Sequence, residues 1–316
     1  MSNKKKILII ILLFFIFASL YLFWGLTEKN IKFFLPRRLE VVLAIFISAF
    51  CIGYSTVSFQ TVTNNKILTP SIIGLDSLYL FIQTFIVYAF GSGTLTMMTG
   101  YKNYFLSIGI MILFSILLFL ILFKKEDRNI YFLVLAGMVI GNLFGGLATF
   151  MQVLLDPNEF LIVQGKMFAS FNNINSELLF VSLAIILFII AICLKDFKYL
   201  DVLSLGREQA INLGINYQKF VLKTFIVISV LAAVSTALTG PITFLGILVA
   251  SISRELLKTY KHTDRILGSV FIGAFALISG QFILSRFNTG TTISVIVNFV
   301  GGIYFIYLIL KEAKVW

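Results

Sequence analysis

The sequence predicts an all-α integral membrane protein of about ten transmembrane helices, both termini cytoplasmic, in one domain spanning residues 1–316. Three observations predict it. Hydrophobic residues make up 59% of the chain, charged residues only 12%, and the mean hydropathy is +1.01. A soluble domain carries about 25% charged residues. The apolar runs are long and continuous, as in "ILIIILLFFIFASLYLFWGL". Roughly 20 such residues cross a bilayer as a helix, whereas a membrane barrel would alternate apolar and polar positions. Finally, the basic residues fall mostly on one side of the resulting map, as membrane topology requires.

The spans read as 7–26, 38–59, 74–91, 103–123, 130–154, 178–194, 218–238, 242–257, 266–284 and 293–310. The first follows "MSNKKK" and resembles a signal peptide, but its apolar run continues to Leu26 and "ASL" is a poor cleavage site, so it is read as a retained span. The eighth is short. The connections "NNKILTPSIIGLD" and "TGPITFLG" read as broken or re-entrant backbone, which membranes accept only where it is packed in protein. They also hint at an internal repeat, each with a Pro, apolar residues and then a Gly: Pro70 to Gly74, and Pro241 to Gly246. Matched breaks of this kind are a transporter feature.

With the N-terminus in the cytoplasm, the inner segments hold 18 of the 25 basic residues: Lys4, Lys5, Lys6, Lys66, Lys124, Lys125, Arg128, Lys195, Lys198, Arg207, Lys219, Lys223, Arg254, Lys258, Lys261, Arg265, Lys311 and Lys314. The outer segments hold seven: Lys29, Lys32, Arg37, Arg38, Lys102, Lys166 and Arg286. The net charge of +11 therefore sets topology and gives no reason to invoke nucleic acid.

Reactive chemistry is sparse. Cys51 and Cys193 lie inside apolar runs without metal or redox spacing. The single histidine, His262, sits in "KTYKHTDR" and reads as a loop residue. Asp76 and Glu177 begin spans three and six, where an acid at a helix N-terminus is favourable without any function. No carboxylate pair stands inside a span, which disfavours a membrane enzyme and a proton- or sodium-driven carrier. Gly165-Lys166 in "QGKMFAS" is no phosphate loop, because Phe160 stands where a glycine is needed. No catalytic, metal or cofactor site is expected in this chain, so ATP, if used, belongs to another subunit.

One stretch breaks the oily pattern. "VLSLGREQAINLGINYQKFVLK", residues 202–223, is polar, carries Gly206 and Gly214, and lies on the cytoplasmic side between spans six and seven. Leu205, Ala210 and Leu213 recur at helical spacing. The segment is either an amphipathic connector or a surface that docks a soluble partner.

At this point the residues resemble a known family: the FecCD-type permease subunits of binding-protein-dependent ABC importers for ferric siderophores, haem and vitamin B12. "LPRRLEVVLAIFISAFCIGYSTVSFQ", "NNKILTPSIIGLDS", "LSLGREQAINLGIN" and "ALTGPITFLGILVASISREL" carry the resemblance over nearly the whole length. Arg207 stands where the family's loop often has Glu, and Ala250-Ser251 replace its Pro-His, while Arg254 is kept. The resemblance implies the vitamin B12 and siderophore importer permease fold. It implies that a coupling segment at about 196–218 contacts an ABC ATPase dimer through Gly206, Glu208, Ala210, Leu213 and Gly214. It implies that Arg37 and Arg286, assisted by Arg38, grip acidic residues of an extracellular or periplasmic binding protein. A second permease copy or a related permease completes the pathway in the cell membrane. The expected cargo is a ferric siderophore, with haem and cobalamin as alternatives, since a naked metal ion wants His, Cys or acidic ligands.

Overall fold

The computed structural model describes residues 2–91, 93, 100–123, 130–172, 174–287 and 291–313. Lys124, Lys125, Arg128 and Lys314 of the charge map lie outside the described residues. Among the described residues there are thirteen α-helices and no strand. In chain order they are α1 (Asn3–Phe23), α2 (Ile31–Val62), α3 (Leu75–Phe90), α4 (Tyr101–Phe123), α5 (Ile130–Leu154), α6 (Pro157–Met167), α7 (Ser176–Cys193), α8 (Asp196–Leu203), α9 (Arg207–Asn212), α10 (Tyr217–Thr239), α11 (Leu245–Leu257), α12 (His262–Phe287) and α13 (Ile293–Ala313).

Each of the ten sequence-predicted spans falls on a helix, and eight of those helices are long and apolar enough to cross a membrane alone. The two short ones are α3, with 16 residues, and α11, with 13. At 1.5 Å per residue these reach about 24 and 20 Å, short of a hydrocarbon core of about 30 Å. Both follow the proline-bearing breaks. A 3-10 turn, Pro70–Ile73, fills the first break. Helix α6, in a connection, was not foreseen, and the polar stretch, read as one helical segment, holds the end of α8, all of α9 and the start of α10. The start of α6 had a sequence sign, Pro157 at its first position with Glu159 in the first turn.

Helix α2 is the central element. It is buried along most of its length from Ala44 to Val62, with α10 and α12 packed along it. Lipid tails are as apolar as leucine, so close packing rather than water exclusion holds such helices together. Small residues provide the approach: a Cβ on Gly53 would stand 3.1 Å from the backbone N of Val270 in α12. The buried apolar residues form two clusters. The larger joins α1, α2, α3, α4, α7 and α10 to α12. The smaller gathers Phe59, Val62, Ile73, Leu118, Phe119, Leu203, Ala210, Val221 and Phe225 beneath the polar stretch.

One hydrogen bond and one ion pair tie both described ends of the chain to the end of α11. Lys6 Nζ donates to the Leu256 carbonyl at 2.6 Å, and Lys311 Nζ pairs with Glu255 at 2.8 Å. Leu256 and Glu255 lie at the end of α11 that leads into the start of α12.

One sequence expectation is corrected here. His262 is not a solvated loop residue: it is the first residue of α12 and is fully buried. Its burial depends on partners 61 and 201 residues away, which local composition does not reveal. Asp76, read from the sequence as an acid at the start of a span, is partly buried on α3 against α10 and the second break. Its carboxylate accepts from the Thr236 and Thr243 hydroxyls, each at 3.3 Å. The two proline-bearing breaks thus meet: Thr69, Pro70, Ser71 and Asp76 share one small cavity with Ile242, Thr243 and Gly246.

Candidate functional site

Residues 196–212, leading into and through the polar stretch, fold as two short helices with a break between them. Helix α8 buries Asp196, Leu200 and Leu203. Asp196 is held to α10 by Lys223 Nζ at 2.7 Å. The chain then turns at Gly206, whose φ of +108° suits glycine. Helix α9 ends in a Schellman motif: Gly214 N–H donates to the Ile211 carbonyl at 2.9 Å, and Ile215 N–H to the Ala210 carbonyl at 3.1 Å. Gly214 takes the left-handed conformation this requires, φ +84°. The two glycines, eight apart, therefore bracket α9, and Asn216 caps the next helix by accepting from Lys219 N–H at 3.2 Å.

This geometry divides the residues singled out from sequence. Ala210 is 0% exposed and sits in the smaller cluster, so it anchors α9 to the membrane helices and presents nothing to a partner. Glu208, Leu213 and Gly214 are exposed, and Gly206 is partly so. Leu205 and Leu213 are 60% and 63% exposed and Ile211 is 48% exposed. These three apolar side chains, two of them absent from the sequence-derived contact set, stand uncovered on a segment anchored from beneath. Reading Leu205, Ala210 and Leu213 as one stripe assumed one continuous helix, which Gly206 interrupts.

At the opposite end of α2 and α12 the arginines gather. Arg38 Nη1 donates to the carbonyls of Tyr21, Leu22 and Trp24, at 3.1, 2.9 and 3.0 Å. These are carbonyls at the C-terminal end of α1, which lack helical partners and favour a cation. Arg286 Nη2 donates to the same Trp24 carbonyl at 3.2 Å, and its guanidinium lies 5.4 Å from the Trp24 ring centroid. Arg37, one residue before Arg38, points elsewhere: its Nη2 reaches the Asn172 carbonyl at 3.3 Å. It lines an open cleft of about 680 Å³ with Glu40, Asn172 and Asn175. The Asn172 side chain accepts in turn from Gln281 of α12 at 2.8 Å. Arg37 and Arg286 are exposed, while Arg38 is partly buried and occupied with α1.

Arg38→Ala is therefore expected to lower stability by about 1–2 kcal/mol, the scale for losing hydrogen bonds from a charged donor. Arg37→Ala, with one long bond, is expected to change it by less than about 0.5 kcal/mol. Thermal unfolding in detergent checks both; equal losses would contradict the assignment of Arg38 to α1.

The comparisons agree with this architecture. The model of the FecCD transport family matches residues 6–311. The petrobactin import system permease protein YclO of Bacillus subtilis (strain 168) is 53% identical over 317 residues, covering 100% of both chains. The petrobactin import system permease protein FatC of Bacillus anthracis is 35% identical, covering 87% of this chain and 78% of its own. A solved transporter chain described as metal-chelate type, in an inward-facing conformation, superposes with a TM-score of 0.84 at 22% identity, covering 98% of this chain and all of its own. That likeness bears on the fold, and the family match with the two relatives settles membership: the chain belongs to the FecCD transport family.

Proposed function

We propose that this chain is the membrane-spanning permease subunit of an ABC importer that brings a ferric siderophore into the cell, with petrobactin the first candidate. The observation that carries the reading is the end-to-end identity of 53% with a petrobactin import permease. Two exposed surfaces at opposite ends of α2 and α12 support it. The α8–α9 segment, with Leu205, Glu208, Ile211, Leu213 and Gly214 outward, is the face that seats on an ABC ATPase dimer, which binds and hydrolyses ATP. Arg37 and Arg286 are the cations that receive a substrate-binding protein from outside. A planar guanidinium suits a bidentate carboxylate contact. A second permease, of the same or a related kind, forms the other wall of the pathway. Nucleotide binding draws the ATPases together, moves the coupling segment and switches the side to which the pathway opens.

Uptake of radiolabelled iron as its petrobactin complex, in cells deleted for this chain and complemented with it, tests the cargo. The expected result is uptake that depends on the chain and is not competed by excess haem or cobalamin. Competition by either would move the substrate to that class. Charge reversal at Arg37 and Arg286 together is expected to weaken capture of the binding protein by roughly tenfold or more, most at low salt. Unchanged capture would remove these residues from the docking face.

A further inference from the structure

The coupling segment is joined to the transmembrane helices by a buried polar contact that neither the family likeness nor the docking faces explain. His262 is 0% exposed, and both of its ring nitrogens are engaged. Nδ1 lies 2.7 Å from Asp201 Oδ1, and the backbone N–H of His262 donates to the same oxygen at 2.7 Å. Nε2 lies 2.7 Å from Thr61 Oγ1. Thr61 also reaches the Val57 carbonyl of its own helix at 2.9 Å. A carboxylate only accepts, so Nδ1 carries a hydrogen. Three elements thus meet on one imidazole: α8 through Asp201, the end of α2 through Thr61, and the start of α12 through His262 itself.

We propose that His262 is a positioning residue that joins the coupling segment to the adjacent ends of α2 and α12, so that displacement of α8 is carried into those two helices. The placement favours transmission over simple cohesion. From Thr61 back to Arg37 along α2, and from His262 on to Arg286 along α12, the chain runs 24 residues, about 36 Å of helix. The imidazole therefore sits at one end of both helices and the exposed arginines at the other. The remaining ties of α8 are different in kind: the Asp196–Lys223 pair leads to α10, while Leu200, Leu203 and Phe197, whose ring lies 6.1 Å from that of Tyr54 in α2, pack without hydrogen bonds. Apolar packing lets one surface slide on another. Two hydrogen bonds fixed on a buried ring, with a third from the His262 backbone to the same carboxylate, do not, because breaking one strands a polar group away from water.

The inference rests on the coupling role proposed for α8–α9, and its test separates the two. The assembled transporter (this chain, its partner permease and ATPases, and the binding protein) is placed in proteoliposomes, and ferric petrobactin moved per ATP hydrolysed is measured beside ATPase capture. Thr61→Val is the main variant because it keeps the volume and removes only the hydroxyl. His262→Gln removes the ring. Both are expected to retain ATPase capture and to lower cargo moved per ATP roughly tenfold, within the usual range of coupling free energies. Thr61→Ser, which restores the hydroxyl, is expected to recover the ratio. The double variant is expected to be no worse than either single one. If Thr61→Val lowers transport and ATP hydrolysis together, leaving the ratio at the wild-type value, the contact is merely cohesive and the proposal is overturned. If Ile211→Asp with Leu213→Asp leaves ATPase capture intact, the docking reading itself fails. If that pair abolishes capture while Thr61→Val transports normally per ATP, docking stands and the His262 junction does not.

Discussion

Gly74→Val is expected to leave no folded protein in the membrane. Gly74 is both the end of the 3-10 turn and the cap of α3, at φ +90°. A β-branched residue is a steric outlier there, and the left-handed conformation alone costs roughly 1–2 kcal/mol. Space is the larger obstacle. A Cβ on Gly74 would be driven into the Cα of Gly141 in α5, and would stand 3.2 Å from the Gly137 carbonyl oxygen. Gly137 in turn lies against Ile73, 3.0 Å from its Cα to the corresponding added carbon. These are backbone atoms, which cannot turn aside as a flexible side chain can. Overpacking adds about 1–3 kcal/mol or more, so the total loss is about 2–5 kcal/mol or more. The damage spreads beyond one contact, because the same turn holds Ser71 and Asp76 against Thr243 of the second break. Gly146→Ala is the control: it lies in the same α5, with nothing within 4 Å of the added carbon. Size-exclusion profiles and thermal midpoints in detergent compare the two. A monodisperse Gly74→Val protein with the wild-type midpoint would refute the close α3–α5 approach.

Leu205→Asp combined with Leu213→Asp is expected to abolish transport while the protein still folds. Both side chains face outward on a segment that is anchored from beneath by Leu203 and Ala210. Truncating a central apolar contact at a protein interface costs about 2 kcal/mol or more, and a buried unpaired carboxylate costs further. Two such changes weaken ATPase capture by at least about a hundredfold. Ala210→Leu is expected to act by another route. It overfills the cluster under α9 and lowers the thermal midpoint, whereas the aspartates leave the midpoint near the wild-type value. If the aspartate pair assembles and transports normally, the apolar face of α8–α9 is not a docking surface.

The membrane spans were legible because length and apolarity alone decide them, and the eight long helices lie where the runs lie. The two short spans were legible as oddities, since Pro70 and Pro241 mark the breaks, but nothing in the sequence said that the breaks touch. That contact depends on Asp76 meeting Thr236 and Thr243, some 160 residues away. Residue types singled out Arg37, Arg38 and Arg286, yet not their division of labour. Successive residues on a helix point about 100° apart, so Arg37 and Arg38 cannot share a target. Only the position of α1 shows that Arg38 is the one consumed. Within the α8–α9 segment, Gly206 and Gly214 were visible as punctuation. Which face they turn outward follows from the cluster around Phe59 and Phe225, which is assembled from distant helices.

The central claim is that α8–α9 faces the cytoplasm and touches a separate ATPase. Both native cysteines, Cys51 and Cys193, are buried, so Leu213→Cys offers an exposed thiol where the wild-type protein has none. A membrane-impermeant maleimide is expected to label it in inside-out vesicles and not in intact cells, with labelling blocked by the bound ATPase subunits. Labelling in intact cells, or labelling unaffected by the ATPase, would contradict the account.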